Sequence, residues 1–221
     1  MRNSPRSDMN GGYTSRGSYR LVASTGAVTT VAARTATAGH IFSFLWAPAS
    51  LTTYNAYIRR VAAKFTLTTA YGSAQETGCD LIMARSYTAA HTGATAVDLG
   101  STVADTNSYA TAANTSLMGV AGNCRIADTG ALTAGTHTLD ANPIGVLSGW
   151  SGAIGDKVPD SDAASGDLFG NLFHDPSGKF PLVLADNEGF VIRNLVLMGA
   201  TGVGRWDFLV EWDEGLPDGS K

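Results

Sequence analysis

The sequence predicts an all-β fold: an antiparallel β-sandwich, jelly-roll-like, with two long loops and an extended N-terminal arm. Three observations predict it. Segments with a side-chain period of two recur along the chain, the mark of half-buried strands. Clusters of Gly, Pro, Asn, Asp and Ser punctuate them, as in sandwiches and barrels. No apolar i, i+3, i+4 pattern is sustained, which argues against amphipathic helices.

Residues 1–18 are polar, rich in Gly, Ser and Arg, and without periodicity; they read as an arm. Residues 19–215 read as a single β domain and 216–221 as a tail. Two short strands are expected at Tyr19–Ala23 and Ala27–Ala33, around the turn Ser24-Thr25-Gly26. His40–Trp46 is aromatic and β-branched and is stopped by Pro48. Asn55–Ala70 is ambiguous: its first half could open a helix, while Val61, Ala63, Phe65 and Leu67 alternate as in a strand. The adjacent Arg59 and Arg60 break that alternation, which predicts a bulge. Cys79–Tyr87 reads as a strand.

Residues 88–116 are small and polar and predict a long excursion with little regular structure, including one helical turn near residues 111–117. Leu117–Ile126 and Gly130–Thr138 return to strand-like alternation, and Pro143–Trp150 is a further apolar segment. Residues 151–177, rich in Gly, Asp, Ser and Pro, predict the second long loop. Phe180–Gly215 closes the chain as strand, turn, long strand, glycine-rich connector and strand. The turn is Asp186-Asn187-Glu188-Gly189, where Asn and Gly tolerate positive φ. In the last strand Trp206, Phe208, Val210 and Trp212 point one way, and Asp207, Leu209, Glu211 and Asp213 the other. The aromatic side predicts the core face, each ring burying roughly 150–250 Å².

Composition narrows the function. Charged residues make up 15% of the 221 residues, below the usual quarter, which suits a surface packed against other subunits as well as a plain Thr-rich sandwich. The formal net charge of −4 argues against a general nucleic-acid binder. No apolar run is long enough for a transmembrane helix, and the N-terminus lacks the apolar core of a signal peptide. The charge is uneven. Arg2, Arg6, Arg16 and Arg20 sit near the start; Asp207, Glu211, Asp213 and Glu214 sit near the end. The arm's arginines and the acidic strip are the candidate partner-binding residues, the alternative being an ordinary solvated terminus.

Chemistry is sparse. Cys79 and Cys124 allow one disulfide without implying it; each also suits a small buried position. His40, His91, His137 and His174 show no H-x-x-x-H or H-x-H spacing, so no metal site is expected. The acidic loop at residues 156–167 lacks the EF-hand spacing, which leaves a solvated loop as the default over a calcium site. There is no Gly-x-Ser-x-Gly elbow and no phosphate-binding Gly loop with its Lys. Gly199–Gly204 lies between two strands, which predicts a β connector. Glu188 is expected to be structural or a contact to a neighbour. No catalytic residue, cofactor or metal is assigned, and no enzymatic activity is expected.

Several stretches together resemble a known group. They are Arg125-Ile126-Ala127 with Ala131–Thr136 and Thr138-Leu139-Asp140; Pro181–Ala185 with Asn187–Arg193; and Trp206 with Val210–Glu214. Ile41–Phe44 with Trp46, and Ile58–Val61, fit the same picture. The chain from residue 19 to 214 resembles virion structural proteins of tailed bacteriophages and prophages. The resemblance implies a structural role, that of a capsid decoration (cement) or minor capsid protein. Its partners would be the major capsid protein and copies of itself, as a homo-oligomer in an assembly. Its place would be the virion, after synthesis in the host bacterial cytoplasm. The alternative is a receptor- or carbohydrate-binding β-sandwich head of a fibre or spike, which aromatics exposed on a loop or sheet face would favour.

Overall fold

The computed structural model describes residues 14–97, 104–105, 116–118, 122–159 and 169–217. In chain order the strands are β1 (Thr14–Ser24), β2 (Val28–Thr29), β3 (His40–Trp46), β4 (Asn55–Thr69), β5 (Gln75–Ala89), β6 (Thr95–Ala96), β7 (Ala104–Asp105) and β8 (Cys124–Ile126). They continue as β9 (Thr136–Leu139), β10 (Gly145–Ser151), β11 (Lys157–Val158), β12 (Gly170–His174), β13 (Leu182–Leu184), β14 (Glu188–Asn194) and β15 (Val203–Leu216).

They make two antiparallel sheets. The first runs β11-β4-β15-β1-β7, with β12 and β13 also along β4 and β2 along β15. The second runs β10-β5-β14-β3-β8-β6, with β9 also along β5. The first and last strands are therefore neighbours, Leu21 opposite Val210 and Tyr19 opposite Trp212. Three short strands divide the free side of β4: β13 at Ala56–Ile58, β12 at Arg60–Ala63 and β11 at Phe65–Thr66.

The core lies between the sheets. Trp206, Phe208, Val210 and Trp212 are buried on one face of β15, as their alternation requires. Phe208 meets Phe42 of β3 at 5.1 Å between ring centroids, and Trp212 meets Phe44 edge-on at 5.3 Å. Phe44 stacks on Phe190 of β14 at 5.0 Å. These offset and edge-to-face contacts add to the area each ring removes from water.

Sequence expectations and structure agree at several points. The His40–Trp46 strand has the expected bounds. The ambiguous Asn55 segment is strand throughout, because its backbone is laddered to β15 along its length. A register shift puts Arg60 opposite Glu211 and Ile58 opposite Trp212, so Arg59 is the extra residue of the expected bulge. Asn187 has φ 62° in the turn before β14.

The jelly-roll-like form is corrected. Among the described residues both sheets are open, with different strands at their two ends; neither closes into a barrel nor curls strongly. A period of two identifies strands and their faces but carries no information on which strand pairs with which. Element boundaries differ as well. The stretch read as a loop over 151–177 contains β11 and β12, both laddered to β4. Of the strand expected at Ala27–Ala33 only β2 forms, and of Leu117–Ile126 only β8 among the described residues. The helical turn expected near 111–117 lies mostly outside the described residues.

Candidate functional site

Of the arm's arginines, Arg2 and Arg6 lie outside the described residues. Arg16 lies on β1, and its side chain is outside them too. Arg20 faces Glu211 across the β1–β15 ladder and its guanidinium is ion-paired with that carboxylate. In the acidic strip, Asp207 is 8% exposed; it accepts a hydrogen bond from Ser24 Oγ at 2.5 Å and lies 3.1 Å from Arg205 Nε. Asp213 is 6% exposed, accepts from Ser18 Oγ at 2.5 Å and from Arg59 Nε at 2.8 Å, and lies 2.7 Å from Arg59 Nη2. Ser18, Arg20, Arg59, Glu211 and Asp213 line a shallow hollow of about 300 Å³. Within one chain, then, these acids already hold basic or hydroxyl partners. Glu214 is fully buried. It accepts from Ser116 Oγ at 2.6 Å, from the Leu117 amide at 3.0 Å and from Trp212 Nε1 at 3.3 Å, fixing the segment before β8 to the last strand.

A second constellation was not legible in the sequence. His40 is the first residue of β3, His91 follows β5, and His137 lies on β9. Gly39, with φ 76°, turns the chain into β3, and a register shift in β14 sits opposite His40. An isolated bridge between Thr92 and Thr133 holds the segment carrying His91 beside the one leading to His137. The three rings converge. His40 Nδ1 and His91 Nε2 are 2.7 Å apart in a hydrogen bond, and one ligand-capable atom from each of the three residues lies within 4.8 Å of the others. Ring centroids are 5.0 Å apart for His40–His91, 4.9 Å for His91–His137 and 6.0 Å for His40–His137.

His40 and His91 are buried and His137 half-buried. Desolvation lowers all three imidazoles, His40 to about 4 and His91 to about 3, with the neighbouring histidines adding to the lowering in His40 and His91. All three are therefore neutral at pH 7, each with a lone pair on one nitrogen. Four of the six ring nitrogens, namely His40 Nε2, His91 Nδ1 and both of His137, are buried with no hydrogen bond of normal geometry. Backbone contacts from Thr35 to His40 and from Gly135 to His137 oppose the lowering in these two rings. The ring of Tyr87 stands 4.7 Å from that of His137, and its buried hydroxyl also lacks a partner. The three histidines come from segments far apart in the chain, 51 residues in the case of His40 and His91. No local spacing could have revealed them.

Beside His40, Arg193 lies opposite in the ladder and pairs with Asp80 of β5 through Nε at 3.0 Å and Nη2 at 2.7 Å. Arg34 Nη1 reaches the same fully buried carboxylate at 2.5 Å. Cys79 and Cys124 are free and buried, and burial pushes both thiols up, so neither is an activated nucleophile. Asp156, from the loop considered for calcium, accepts from the Gly152 and Ala153 amides at 2.7 and 2.8 Å and so closes a local turn; residues 160–168 lie outside the described part. Glu188 accepts from the Ala185 amide at 3.0 Å and from Arg85 Nη1 at 2.8 Å.

A third feature is the edge of the second sheet. Among the described residues β10 pairs with β5 alone, its inner side lying against β11 and β12. Leu147 packs on the core, so Val146, Ser148 and Trp150 point outward. Val146 is 50% and Trp150 73% exposed, and Ile144 precedes them on the same side. The strand, Gly-Val-Leu-Ser-Gly-Trp-Ser, carries no charge. Among the described residues no helix is long and apolar enough to cross a membrane. Compared with known proteins, the chain matches no family model, no curated protein and no solved structure.

Proposed function

We propose that the chain is a structural protein of a phage particle that binds neighbouring shell subunits, as a decoration or minor capsid protein does. The observation that carries this reading is β10. Natural sheet edges are guarded by charge, by Pro or by a covering element. This edge carries none of that charge and presents a valine and a tryptophan outward. Aromatic residues are enriched, and charged residues depleted, at the centres of protein interfaces. The low charged fraction of the whole chain points the same way, and the resemblance to virion proteins supplies the kind of assembly. The chemistry required is burial of apolar surface, repeated over a symmetric shell, where modest contacts add through multivalency.

Exposed aromatics favour one other reading, a receptor- or carbohydrate-binding head, since Trp150 and Phe180 are 73% and 80% exposed. The experiment compares particles assembled with the wild-type chain and with Trp150→Lys. A shell-binding protein loses incorporation at least about tenfold, the effect of ~1.4 kcal/mol at a central contact. Undiminished incorporation with lost adsorption to cells supports the receptor-binding head. Absence of the wild-type chain from purified particles overturns both.

A further inference from the structure

The three-histidine cluster shares no residue with the β10 edge, and its chemistry is independent of shell binding. We propose that His40, His91 and His137 form the binding site for one divalent transition-metal ion of the zinc class. The ion would tie the start of β3, the segment after β5 and strand β9 into one unit.

Zinc–nitrogen bonds of about 2.0–2.1 Å in a tetrahedral site set ligand nitrogens roughly 3.3 Å apart. One nitrogen from each histidine already lies within 4.8 Å of the others, and His40 and His91 are at 2.7 Å. A bound ion would require the His40–His91 pair to open from 2.7 Å and any pair as wide as 4.8 Å to close to that spacing. The cluster also leaves buried nitrogens unpaired. Among the described residues, four buried ring nitrogens lack a hydrogen bond of normal geometry, in three residues that touch one another, an unusual concentration. A plain packed-histidine reading leaves His91 Nδ1 and at least one nitrogen of His137 without a partner, even with the backbone contacts of Thr35 to His40 and of Gly135 to His137.

The donor set selects the ion. Three imidazoles without a carboxylate or a thiolate suit zinc, copper or nickel and offer nothing to calcium or magnesium, which take oxygen. Three protein ligands leave a fourth position open. The ligands come from three separate segments that backbone bonds already bring together: β9 is laddered to β5, Thr92 is bridged to Thr133, and the Leu132 amide donates to the His40 carbonyl at 2.8 Å. A shared ion would cross-link them to the ladder of the second sheet through His40.

The test uses the full chain, stripped with chelator, dialysed and titrated with Zn²⁺ and with Co²⁺. The expected result is one equivalent bound per chain, visible d–d absorption from tetrahedral Co²⁺, and a melting point raised by roughly 5–10 °C at a hundredfold excess over Kd. Ca²⁺ and Mg²⁺ leave the melting point unchanged. His137→Ala, at the half-buried ligand, weakens binding at least about tenfold, whereas His174→Ala, at the exposed last residue of β12, leaves it intact. Absence of Co²⁺ absorption together with an unchanged melting point in Zn²⁺ overturns the proposal. So does wild-type affinity in His137→Ala, or an equal loss in His174→Ala. The wild-type titration decides the matter even where His137→Ala fails to fold.

Discussion

Asp80 is fully buried between Arg193 and Arg34, and Arg193 holds it with two hydrogen bonds. A buried pair is costly to break, because the surviving charge stays behind without water. Asp80→Asn should therefore destabilise the chain by about 3–5 kcal/mol, read from urea unfolding. The histidines give a second residue-scale outcome. In the metal-free folded chain His40 titrates near 4 and His91 near 3, against 6.5 when unfolded. Their folded values are depressed, so their contribution is fully present above pH 6.5 and is lost as pH falls toward 4 and then 3. Between those limits the unfolded state holds about one to two more protons, a slope of roughly 1.4–2.7 kcal/mol per pH unit. A melting point flat from pH 6.5 to 4 would contradict it. At this scale the sequence was readable where chemistry is local: Asn187 in its turn, Arg59 in its bulge, the four inward residues of the last strand. The histidine cluster and the Asp80 pair were not readable, because both are assembled by strand pairing across the chain. The same holds for Asp207, Asp213 and Glu214. Alternation put the first two on the side away from the core, but only the folded chain shows that Ser24, Arg59, Ser18 and Ser116 reach these carboxylates.

Elements are specified by which faces they bury and by what the neighbours leave room for. Gly204 opens β15 beside the ring of Phe65; a Cβ there would lie 2.1 Å from Phe65 Cζ. Gly202 has the same relation to Tyr71, at 1.9 Å from its ring. The glycine-rich connector is thus a place where two aromatic rings lie directly over backbone. Gly204→Ala should cost about 1–3 kcal/mol by overpacking, seen as a lower urea midpoint with an unchanged slope. A neutral outcome would mean that Phe65 can move without loss. The alternation of β3 and β15 made them legible from sequence because each presents large apolar residues to the core. β11, β12 and β2 were illegible for the opposite reason. They are two to five residues long, and their backbone pairing with β4 or β15, rather than side-chain pattern, holds them. β10 was legible as apolar, but its position at a sheet edge, which turns that apolarity into exposed surface, is a property of the pairing order.

On the scale of the whole molecule, two open antiparallel sheets enclose an aromatic core, while β10 at the outer edge of one sheet leaves a valine and a tryptophan exposed. That contrast underlies the functional account. A chain with 15% charged residues and an uncharged edge strand bearing an exposed tryptophan is suited to a crowded, repeated assembly. The all-β class followed from the spacing of strands and turns. The open form of the sheets did not, since curvature and closure depend on register and pairing that no single strand encodes. The most direct test of the central claim is the number of copies of this chain per purified particle, by quantitative mass spectrometry against the major shell subunit. The expected result is on the order of hundreds, in a fixed ratio to that subunit as symmetric assembly requires. A few dozen copies at most, or none, would contradict it.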